Sequence, residues 1–354
     1  MLLEFSYTAF HATGERRARL LNSNVAVFVG IERPDWARIG TANSSRGLAS
    51  AYTATSDTVS VASGRLSFAL GLHGPCASID AACASGLVCL HASSLTTHAG
   101  ETNMGLVTAV SLKLEARPFL AAAAAGMLST AGRCKTFDAN ADGYVRSEAI
   151  NALILGSSTV ESVRRTMLCG SVVRQDGRSA SLTAPNGSAQ RALLLCSLSK
   201  AGKTSAQIRG IEAHGTGTSL GDPTEAGALV LALDHPKSSS LLVGTSKATV
   251  GHSEPVSGLI GLAKVVAEIL ADGWLGNAQL RLINAMVHNR IGTSERIVSL
   301  PTQRIWPLSN PGTTAVGINS FGYSGTISNA IVDCESKLYS TSTILRVNAL
   351  QYRQ

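Results

Sequence analysis

A cysteine within a run of small residues is the first candidate for chemistry. Cys83 lies in Asp80–Leu87 (DAACASGL), where an apolar, strand-like stretch gives way to a segment that favours helix. A helix N-terminus at this point would favour the thiolate and would offer backbone N–H groups as the start of an oxyanion hole. A buried cysteine that fills a small gap explains the same residues. This segment alone therefore leaves both interpretations of Cys83 open.

His214 lies where a predicted strand ends and a loop rich in glycine and threonine begins, within Glu212–Leu229 (EAHGTGTSLGDPTEAGAL). Leu220 occupies the position at which a GxGxxG loop needs its third glycine, so the spacing excludes a dinucleotide-binding loop. Thr216 and Thr218 instead place hydroxyl groups beside the histidine. Those hydroxyls suit hydrogen bonds to a substrate arm that contains amides.

A second candidate histidine, His252, lies between an apolar strand and a helix in Ser246–Lys264 (SKATVGHSEPVSGLIGLAK). Gly251 permits a tight turn that directs the ring into a cleft, and Lys247 can add positive charge or brace the site. A single histidine is more often structural. That interpretation applies to the remaining histidines, which are His11, His73, His91, His98, His235 and His288. His214 and His252 differ because each ends a strand at a glycine-rich turn.

Alternating strands and helices must position these residues. Short apolar or β-branched runs alternate with longer helical patterns, which predicts an α/β architecture. The predicted strands are Val25–Gly30, Ala77–Ala81, Gly105–Ser111, Leu168–Arg174, Ile208–Ala213, Leu241–Thr245, Ala315–Asn319 and Ser328–Val332. The predicted helices are the segment after Cys83, Gln190–Ala201, Thr224–Leu233, Val256–Ala271 and the alanine run Ala121–Ala125. A charged patch at Ser162–Thr166 predicts the boundary between two halves, and the residues from Lys337 onward predict a loosely held tail.

Composition excludes several classes of protein. Of the 354 residues, 45% are hydrophobic and 15% charged, which provides for a large core and argues against disorder. No apolar stretch is long enough to insert into a membrane, and Met1–Phe10 lacks the pattern of a signal peptide. Seven irregularly spaced cysteines suit a reduced, cytoplasmic protein, although an organelle address is left open. The net charge of +7 is dispersed and does not predict nucleic-acid binding.

The three reactive-residue segments resemble the ketosynthase domains of modular polyketide synthases and related fatty acid synthases. The resemblance extends from Met1 to Glu335 and includes Ala131–Ala149 (AGRCKTFDANADGYVRSEA), Gln175–Gly187 (QDGRSASLTAPNG) and Asn319–Thr326 (NSFGYSGT). It implies a thiolase-like fold, in which two similar α/β halves form a five-layer αβαβα sandwich. We expect an N-terminal half at residues 1–165, a C-terminal half at residues 166–336 and a tail at residues 337–354.

The resemblance also implies the reaction of a β-ketoacyl synthase, an acyltransferase that performs a decarboxylative Claisen condensation. Cys83 would hold the acyl chain as a thioester. His214 and His252 would stabilise the enolate that forms when a malonyl group on acyl carrier protein loses CO₂. No metal and no redox cofactor is implied, and the expected assembly is a homodimer.

Four further positions match supporting roles in the family. The backbone N–H groups of Cys83 and Tyr323 would bind the oxyanion, and Lys247 would brace the second histidine. Thr216 and Thr218 would hold the phosphopantetheine arm that carries the substrates. Asp138–Gly143 copies the first half of a calcium loop, but the loop's twelfth position is alanine, and the resemblance accounts for this segment without calcium.

The sequence also departs from the family. The family's opening segment, with a central strand of Ile-Val-Gly-Met-like sequence, has no counterpart here, so we expect a fragment, an incomplete gene product or a fold completed from outside the chain. Near the site, the departures are Ile327 in place of an asparagine, Ser328-Asn329 in place of Ala-His, Ser147 in place of a glycine, and Pro255 after the His252 turn. Because isoleucine cannot make the hydrogen bonds of asparagine, we expect a less firmly fixed loop around Tyr323.

Three alternatives to an active ketosynthase follow from these departures and from the fold. A degenerate ketosynthase could survive as a scaffold or as an inactive fragment, although the intact cysteine and histidines argue for catalysis. Thiolase and chalcone-synthase chemistry pairs the cysteine with histidine plus cysteine or with histidine plus asparagine, so two histidines disfavour it. A decarboxylase of the loading type usually has glutamine where Cys83 stands.

Overall fold

Strands and helices alternate along the chain as the sequence predicts. The computed structural model describes residues 1–32, 35–36, 38–39, 53–56, 58–157, 165–233, 240–271, 273–292, 298–300, 305, 315–335 and 343–346. The strands are β1 Val25–Ile31, β2 Cys76–Ile79, β3 Met104–Ser111, β4 Ala149–Ser157, β5 Arg165–Gln175, β6 Ile208–Glu212, β7 Leu241–Gly244, β8 Val298–Ser299, β9 Ala315–Phe321, β10 Thr326–Glu335 and β11 Thr343–Arg346. The helices are α1 Leu2–Ala12, α2 Arg17–Leu20, α3 Thr53–Ser56, α4 Ser60–Leu70, α5 Ser85–His98, α6 Arg117–Ala124, α7 Gly187–Ala201, α8 Gly221–Ala232, α9 Lys247–Val250, α10 Ser257–Ala271 and α11 Ala285–Ile291.

The strands form one hydrogen-bonded sheet with the order β2-β1-β3-β4-β11-β5-β10-β9-β6-β7-β8. In the first half, β1 runs parallel to β2 and β3, and β3 runs antiparallel to β4. In the second half, β6 runs parallel to β7 and β9, β9 runs antiparallel to β10, and β10 runs antiparallel to β5. Strand β11 lies between the halves, antiparallel to both β4 and β5.

Helices form three layers around these strands. Helix α5 packs against β1 and β3 of the first half and against β5 and β10 of the second, while α10 packs against α5 and β9. These two helices are therefore the middle layer. Helices α1 and α4 cover the outer side of the first half. On the outer side of the second half, α7 packs against β5 and α8 packs against α7. The architecture is the predicted thiolase-like αβαβα sandwich.

Each predicted strand and helix is present in the structure, with ends that differ by a few residues. Strands β4, β8 and β11 were not predicted. Part of the predicted boundary, Ser162–Arg164, lies outside the described residues, so the division into residues 1–165 and 166–336 stays a prediction. The predicted tail, residues 337–354, contains β11, which is held in the sheet rather than loosely. Within the described part of the chain, no helix is both long and apolar enough to span a membrane.

Candidate active site

The turn that carries Cys83 is held in an uncommon backbone conformation. It links β2 to α5, and Ala82 has a φ of +48°, which is unfavourable for a residue with a side chain. The Ser85 hydroxyl accepts a hydrogen bond from the Ala81 N–H at 2.9 Å and donates one to the Ala82 carbonyl at 2.6 Å. Asp80 accepts from the Ala82 N–H at 3.0 Å. These bonds fix the turn and place Cys83 directly before the N-terminus of α5.

His252 lies in contact with the cysteine. Its Nε2 is 3.1 Å from Cys83 Sγ, and both side chains are buried. On the other side of the ring, the Glu254 backbone N–H donates to Nδ1 at 3.3 Å. Because Nδ1 accepts this bond, the proton of the neutral ring is on Nε2. His252 therefore donates a hydrogen bond toward Cys83.

His214 has the same arrangement. The Phe321 backbone N–H donates to His214 Nδ1 at 3.2 Å, which leaves Nε2 as the protonated nitrogen. The rings of His214 and His252 lie edge to face, with centroids 5.5 Å apart. Burial lowers the pKa of both histidines well below 6.5, and the positive charge of Lys247 acts in the same direction. The structure thus brings together two neutral imidazoles, each with an Nε2–H donor.

The predicted thiolate character of Cys83 is not supported by its surroundings. Burial, with the carboxylates of Glu32 and Glu254, raises the pKa of the Cys83 thiol to about 12, although Lys247 and the residue's own backbone N–H oppose the rise. A helix N-terminus contributes up to about 2 kcal/mol, which lowers a pKa by about 1.5. Desolvation therefore outweighs the helix, and the resting residue is a thiol.

Glu225 is a supporting residue that the sequence interpretation missed. Its buried carboxylate accepts hydrogen bonds from the backbone N–H groups of His214 and Gly215, at 2.8 and 2.9 Å, and from the Asn319 side-chain amide at 2.9 Å. It therefore fixes the turn of the first histidine and ties it to β9. An acidic residue eleven positions after His214, in a largely apolar helix whose other acidic residue is Asp222, is the signal that could have identified it.

Glu254 is the equivalent support for the second histidine. Its φ is +50°, so the backbone that donates to His252 is itself strained. Arg146 binds the Glu254 carboxylate through Nε and Nη2, at 2.7 and 3.0 Å, and Lys113 forms a further ion pair with it. All three side chains are at least nine-tenths buried. This buried cluster holds the strained turn in place, and no local pattern in the sequence indicates it.

The other predicted site residues lie around this centre. Lys247 is buried at the start of α9, and the hydroxyl oxygens of Thr216 and Thr218 are 3.2 Å apart in the loop after His214. Tyr323 is 44% exposed in the turn between β9 and β10. In the same turn, a Cβ built on Gly322 would lie 2.6 Å from the Ala81 carbonyl oxygen, so this turn lies directly against the cysteine turn.

The departures from the family have clear packing roles. Ile327 is fully buried in an apolar cluster with Val172, Leu193 and Phe321. The turn around Tyr323 is closed by backbone hydrogen bonds, from Gly322 N–H to the Thr326 carbonyl at 2.7 Å and from Gly325 N–H to the Gly322 carbonyl at 2.9 Å. Apolar packing and these bonds therefore fix the loop, contrary to the expectation of a loose one.

Polar and backbone contacts account for the remaining departures. The Asn329 amide donates to Asn319 at 2.8 Å, and the Ser328 hydroxyl donates to the Ser320 carbonyl at 3.0 Å. Ser147 donates its backbone N–H to the His252 carbonyl at 2.9 Å. Pro255 lies in a short 3₁₀ helix, Glu254–Val256, that leads into α10.

The calcium-like segment has a structural role. Asp138 accepts backbone N–H bonds from Asn140, Arg281 and Leu282, and Asp142 binds the side chain of Lys135. Within the described ranges, no three metal-ligating side chains cluster in a way that could hold an ion.

Comparison with known proteins agrees with this geometry. Residues 1–160 match the family described as "Beta-ketoacyl synthase, N-terminal domain", and residues 166–278 match "Beta-ketoacyl synthase, C-terminal domain". A phenolphthiocerol/phthiocerol polyketide synthase protein of Mycobacterium tuberculosis is 36% identical over 339 residues, which cover 94% of this chain and 15% of that protein. The polyketide synthase component of lovastatin nonaketide synthase from Aspergillus terreus is 34% identical over 358 residues, covering 94% of this chain and 11% of that protein.

Solved structures give the same result. The ketosynthase from module 6 of the bacillaene synthase of Bacillus subtilis superimposes with a TM-score of 0.81 and 25% identity, covering 94% of this chain and 58% of that one. The oxazolomycin ketosynthase domain of Streptomyces albus gives a TM-score of 0.83 and 26% identity, covering 94% and 59%. The chain thus spans less than two thirds of these structures and a small part of the curated relatives. It belongs to the β-ketoacyl synthase family and resembles, within that family, the ketosynthase domains of type I polyketide synthases.

Proposed function

We propose that this chain catalyses the decarboxylative Claisen condensation of an acyl group held on Cys83 with a malonyl-type extender on acyl carrier protein. The observation that carries the proposal is the pair of neutral histidines beside the thiol. Each accepts a backbone N–H at Nδ1 and therefore presents an Nε2–H donor. Two fixed donors suit an oxygen that gains negative charge during the reaction.

In the first half-reaction, Cys83 Sγ attacks the carbonyl of an acyl thioester. A C–S bond to Cys83 forms, the C–S bond to the phosphopantetheine breaks, and the thiol proton leaves with the departing sulphur. Backbone N–H groups of Cys83 and Tyr323 would hold the intermediate oxyanion. The proximity of the Tyr323 turn to the Ala81 carbonyl supports this role for the two N–H groups.

In the second half-reaction, the bond between the malonyl α-carbon and its carboxylate breaks and CO₂ leaves. The electron pair forms an enolate, whose oxygen accepts hydrogen bonds from Nε2 of His214 and of His252. The enolate carbon attacks the acyl carbonyl on Cys83, so that a C–C bond forms and the C–S bond breaks. The thiolate of Cys83 then takes up a proton. No step requires a redox co-reactant.

Binding of the substrate arm and of the partners belongs to the same proposal. Thr216 and Thr218 would bind the phosphopantetheine, and Lys247 would supply positive charge beside both histidines, which its effect on their pKa values supports. The net charge of +7 favours an acidic carrier protein. A homodimer is supported by β2, one of the two terminal strands of the sheet, whose outer edge has no partner strand within the described residues and could pair with a second copy. No observation in the described residues favours the scaffold alternative.

Intact-protein mass spectrometry with a short acyl thioester tests the proposal. We expect one acyl adduct that is absent from the Cys83→Ala protein and present in Cys196→Ala, a matched control on α7. His214→Ala and His252→Ala should lose condensation with malonyl–carrier protein by at least about a hundredfold and lose acyl loading by less. Equal loss of both steps in correctly folded variants would exclude the enolate-stabilising role.

A further inference from the structure

The two halves of the sheet repeat one arrangement, and the repeat identifies a role for the C-terminal strand. In the second half, the order is β7-β6-β9-β10-β5: the first three strands are parallel, β10 is antiparallel to them, and β5 is antiparallel to β10. In the first half, the order β2-β1-β3-β4-β11 has the same directions. Strand β11 therefore occupies in the first half the position that β5 occupies in the second.

The origin of the fifth strand differs between the halves. Among the described strands, β5 is the first of its own half along the chain, whereas β11 lies about 170 residues after β5 and is the last. We propose that β4 and β5 form a strand-binding site, and that the chain's own segment Thr343–Arg346 fills it and completes the N-terminal half.

The register shows how fully the segment fills this site. All four residues of β11 pair with β4, from Thr343 opposite Ser157 to Arg346 opposite Ile154. Three of the same residues pair with β5, from Thr343 opposite Leu168 to Leu345 opposite Thr166. Pairing on both sides uses the outward N–H and C=O groups of both neighbouring strands. With β11 in place, Ile154, Leu155, Thr166 and Leu168 are at most 6% exposed. Without β11, the backbone groups of β4 and β5 that face it would lose their partners at the centre of the sheet.

The strand-binding site is connected to the cysteine. Helix α5 begins two residues after Cys83 and packs on β5. Two side chains of α5 contact the Ser171 hydroxyl of β5: His91 Nδ1 at 2.9 Å and the Ser94 hydroxyl at 3.1 Å. The same helix packs against β4. Loss of β11 would free the two strands that support α5, so β11 acts as a positioning element for the nucleophile.

Truncation with hydrogen exchange tests this role. The chain ending at residue 336 lacks β11, and the chain ending at residue 347 is the matched control that keeps it. We expect the amides of Ile154–Gly156 and Thr166–Leu168 to exchange at least about tenfold faster in the shorter chain, with a lower melting temperature and slower acylation of Cys83. The control should match the full chain. Unchanged protection and melting temperature in the shorter chain would overturn the proposal.

A second pair of variants keeps the test decisive where the truncated chain does not fold. Ile344 pairs with β4 and β5, so Ile344→Pro removes a sheet hydrogen bond whichever neighbour its N–H faces, while Ile344→Val retains it. We expect faster exchange in β4 and β5 only in the proline variant. A synthetic peptide of residues 337–354, added to the chain ending at residue 336, should restore protection. The same peptide with Ile344→Pro should not, and equal rescue by both peptides would contradict the registered pairing.

Discussion

At Cys83, burial and hydrogen bonding act on the thiol in opposite directions. Burial raises its pKa to about 12, while the charge of Lys247 opposes the rise. The donor at His252 Nε2, 3.1 Å from the sulphur, favours a developing thiolate. A thiol that is protected at rest and stabilised only as its proton leaves suits a nucleophile that must react with a bound thioester rather than with solvent oxidants.

This balance predicts how alkylation of Cys83 depends on pH. With a pKa of about 12, the thiolate fraction grows about tenfold per pH unit throughout the neutral and moderately basic range. We therefore expect the rate of carbamidomethylation of Cys83 by iodoacetamide, followed by peptide mass spectrometry, to rise about tenfold per unit from about pH 7 to about pH 10. The two histidines, whose pKa values lie well below 6.5, should add no inflection in that range. A plateau below about pH 9 would show an activated resting thiolate instead.

The buried ion cluster predicts a difference between two substitutions. Glu254→Gln leaves Arg146 and Lys113 without their shared carboxylate, and breaking a buried ion pair costs about 3–5 kcal/mol. Lys113→Met leaves the bidentate Arg146–Glu254 pair in place, so its loss of stability should be smaller. Urea unfolding at neutral pH measures both. Equal losses would show that the Lys113–Glu254 ion pair, rather than the bidentate Arg146–Glu254 pair, carries the stabilisation.

The same carboxylate makes stability depend on acid. Burial alone would raise the pKa of Glu254. The hydrogen bonds and charges of Arg146 and Lys113 outweigh burial and lower this pKa below its usual 4.5. The contribution to stability is therefore present above pH 4.5 and is lost as pH falls through the lowered pKa. We expect Glu254→Gln to remove this part of the acid dependence, which urea unfolding across the acidic range measures.

The reactive residues can be found in the sequence, while their supports cannot. Cys83, His214 and His252 each lie at a turn rich in small residues, a pattern visible in the sequence. Glu254 also lies in the segment around His252, but its role depends on Arg146 and Lys113, more than a hundred residues away. Such long-range pairs have no local signal, because only the fold brings them together.

Among the elements, the contact between α5 and the turn leading into α10 sets the distance between cysteine and histidine. Gly86 lies in the first turn of α5, where a Cβ would approach Leu259 Cγ and the Pro255 carbonyl oxygen, each at 2.9 Å. These atoms belong to the segment that follows His252. Only glycine allows the two elements to approach this closely.

Gly86→Ala should therefore separate Cys83 from His252. Overpacking of this kind lowers the free energy of unfolding by about 1–3 kcal/mol, so we expect a lower melting temperature. The rate of condensation should fall by a larger fraction than the helix content. Gly64→Ala is the matched control, because a Cβ at this helical glycine meets no atom within 4 Å, and alanine favours helix. A Gly86→Ala protein with full activity would show that the site tolerates the shift.

Element prediction succeeds where local patterns are distinctive and fails at the join between the halves. Strand β1, Val25–Ile31, is a β-branched run, and its predicted end lies within one residue of the observed one. Strand β4 directly follows the charged stretch Arg146–Glu148 with no glycine or proline to mark its start, so its apolar run has no clear N-terminal boundary. Strand β11 has four residues and lies in a weakly patterned tail, and its stability comes from β4 and β5, which are distant in sequence.

At the scale of the whole molecule, the sheet leaves one edge of β2 without a partner strand within the described residues. Strand β2 leads directly into the Cys83 turn, so a second copy paired at this edge would lie close to the site. Cys76, the first residue of β2, is exposed. Exposed edges of this kind favour pairing with another strand.

The hydrogen-bond pattern shows which residue of β2 faces outward. Val27 of β1 is opposite Cys76, and the Val27 N–H donates to the Pro75 carbonyl at 2.8 Å. In a parallel pair, the residues flanking position 76 therefore bond to β1, and the Cys76 N–H points away from it. Cys76→Pro removes an outward donor while leaving the pairing of β2 with β1 intact, because proline is tolerated at the first residue of a strand.

We expect light scattering after size-exclusion chromatography to show a dimer for the wild-type chain and for Cys76→Val, and a monomer for Cys76→Pro. The valine variant controls for loss of the thiol, because it keeps the backbone N–H and favours strand. Circular dichroism must show the same helix content in all three proteins. A Cys76→Pro protein that remains dimeric would place the contact between copies on another surface. A monomeric wild-type chain at all concentrations would refute the homodimer itself.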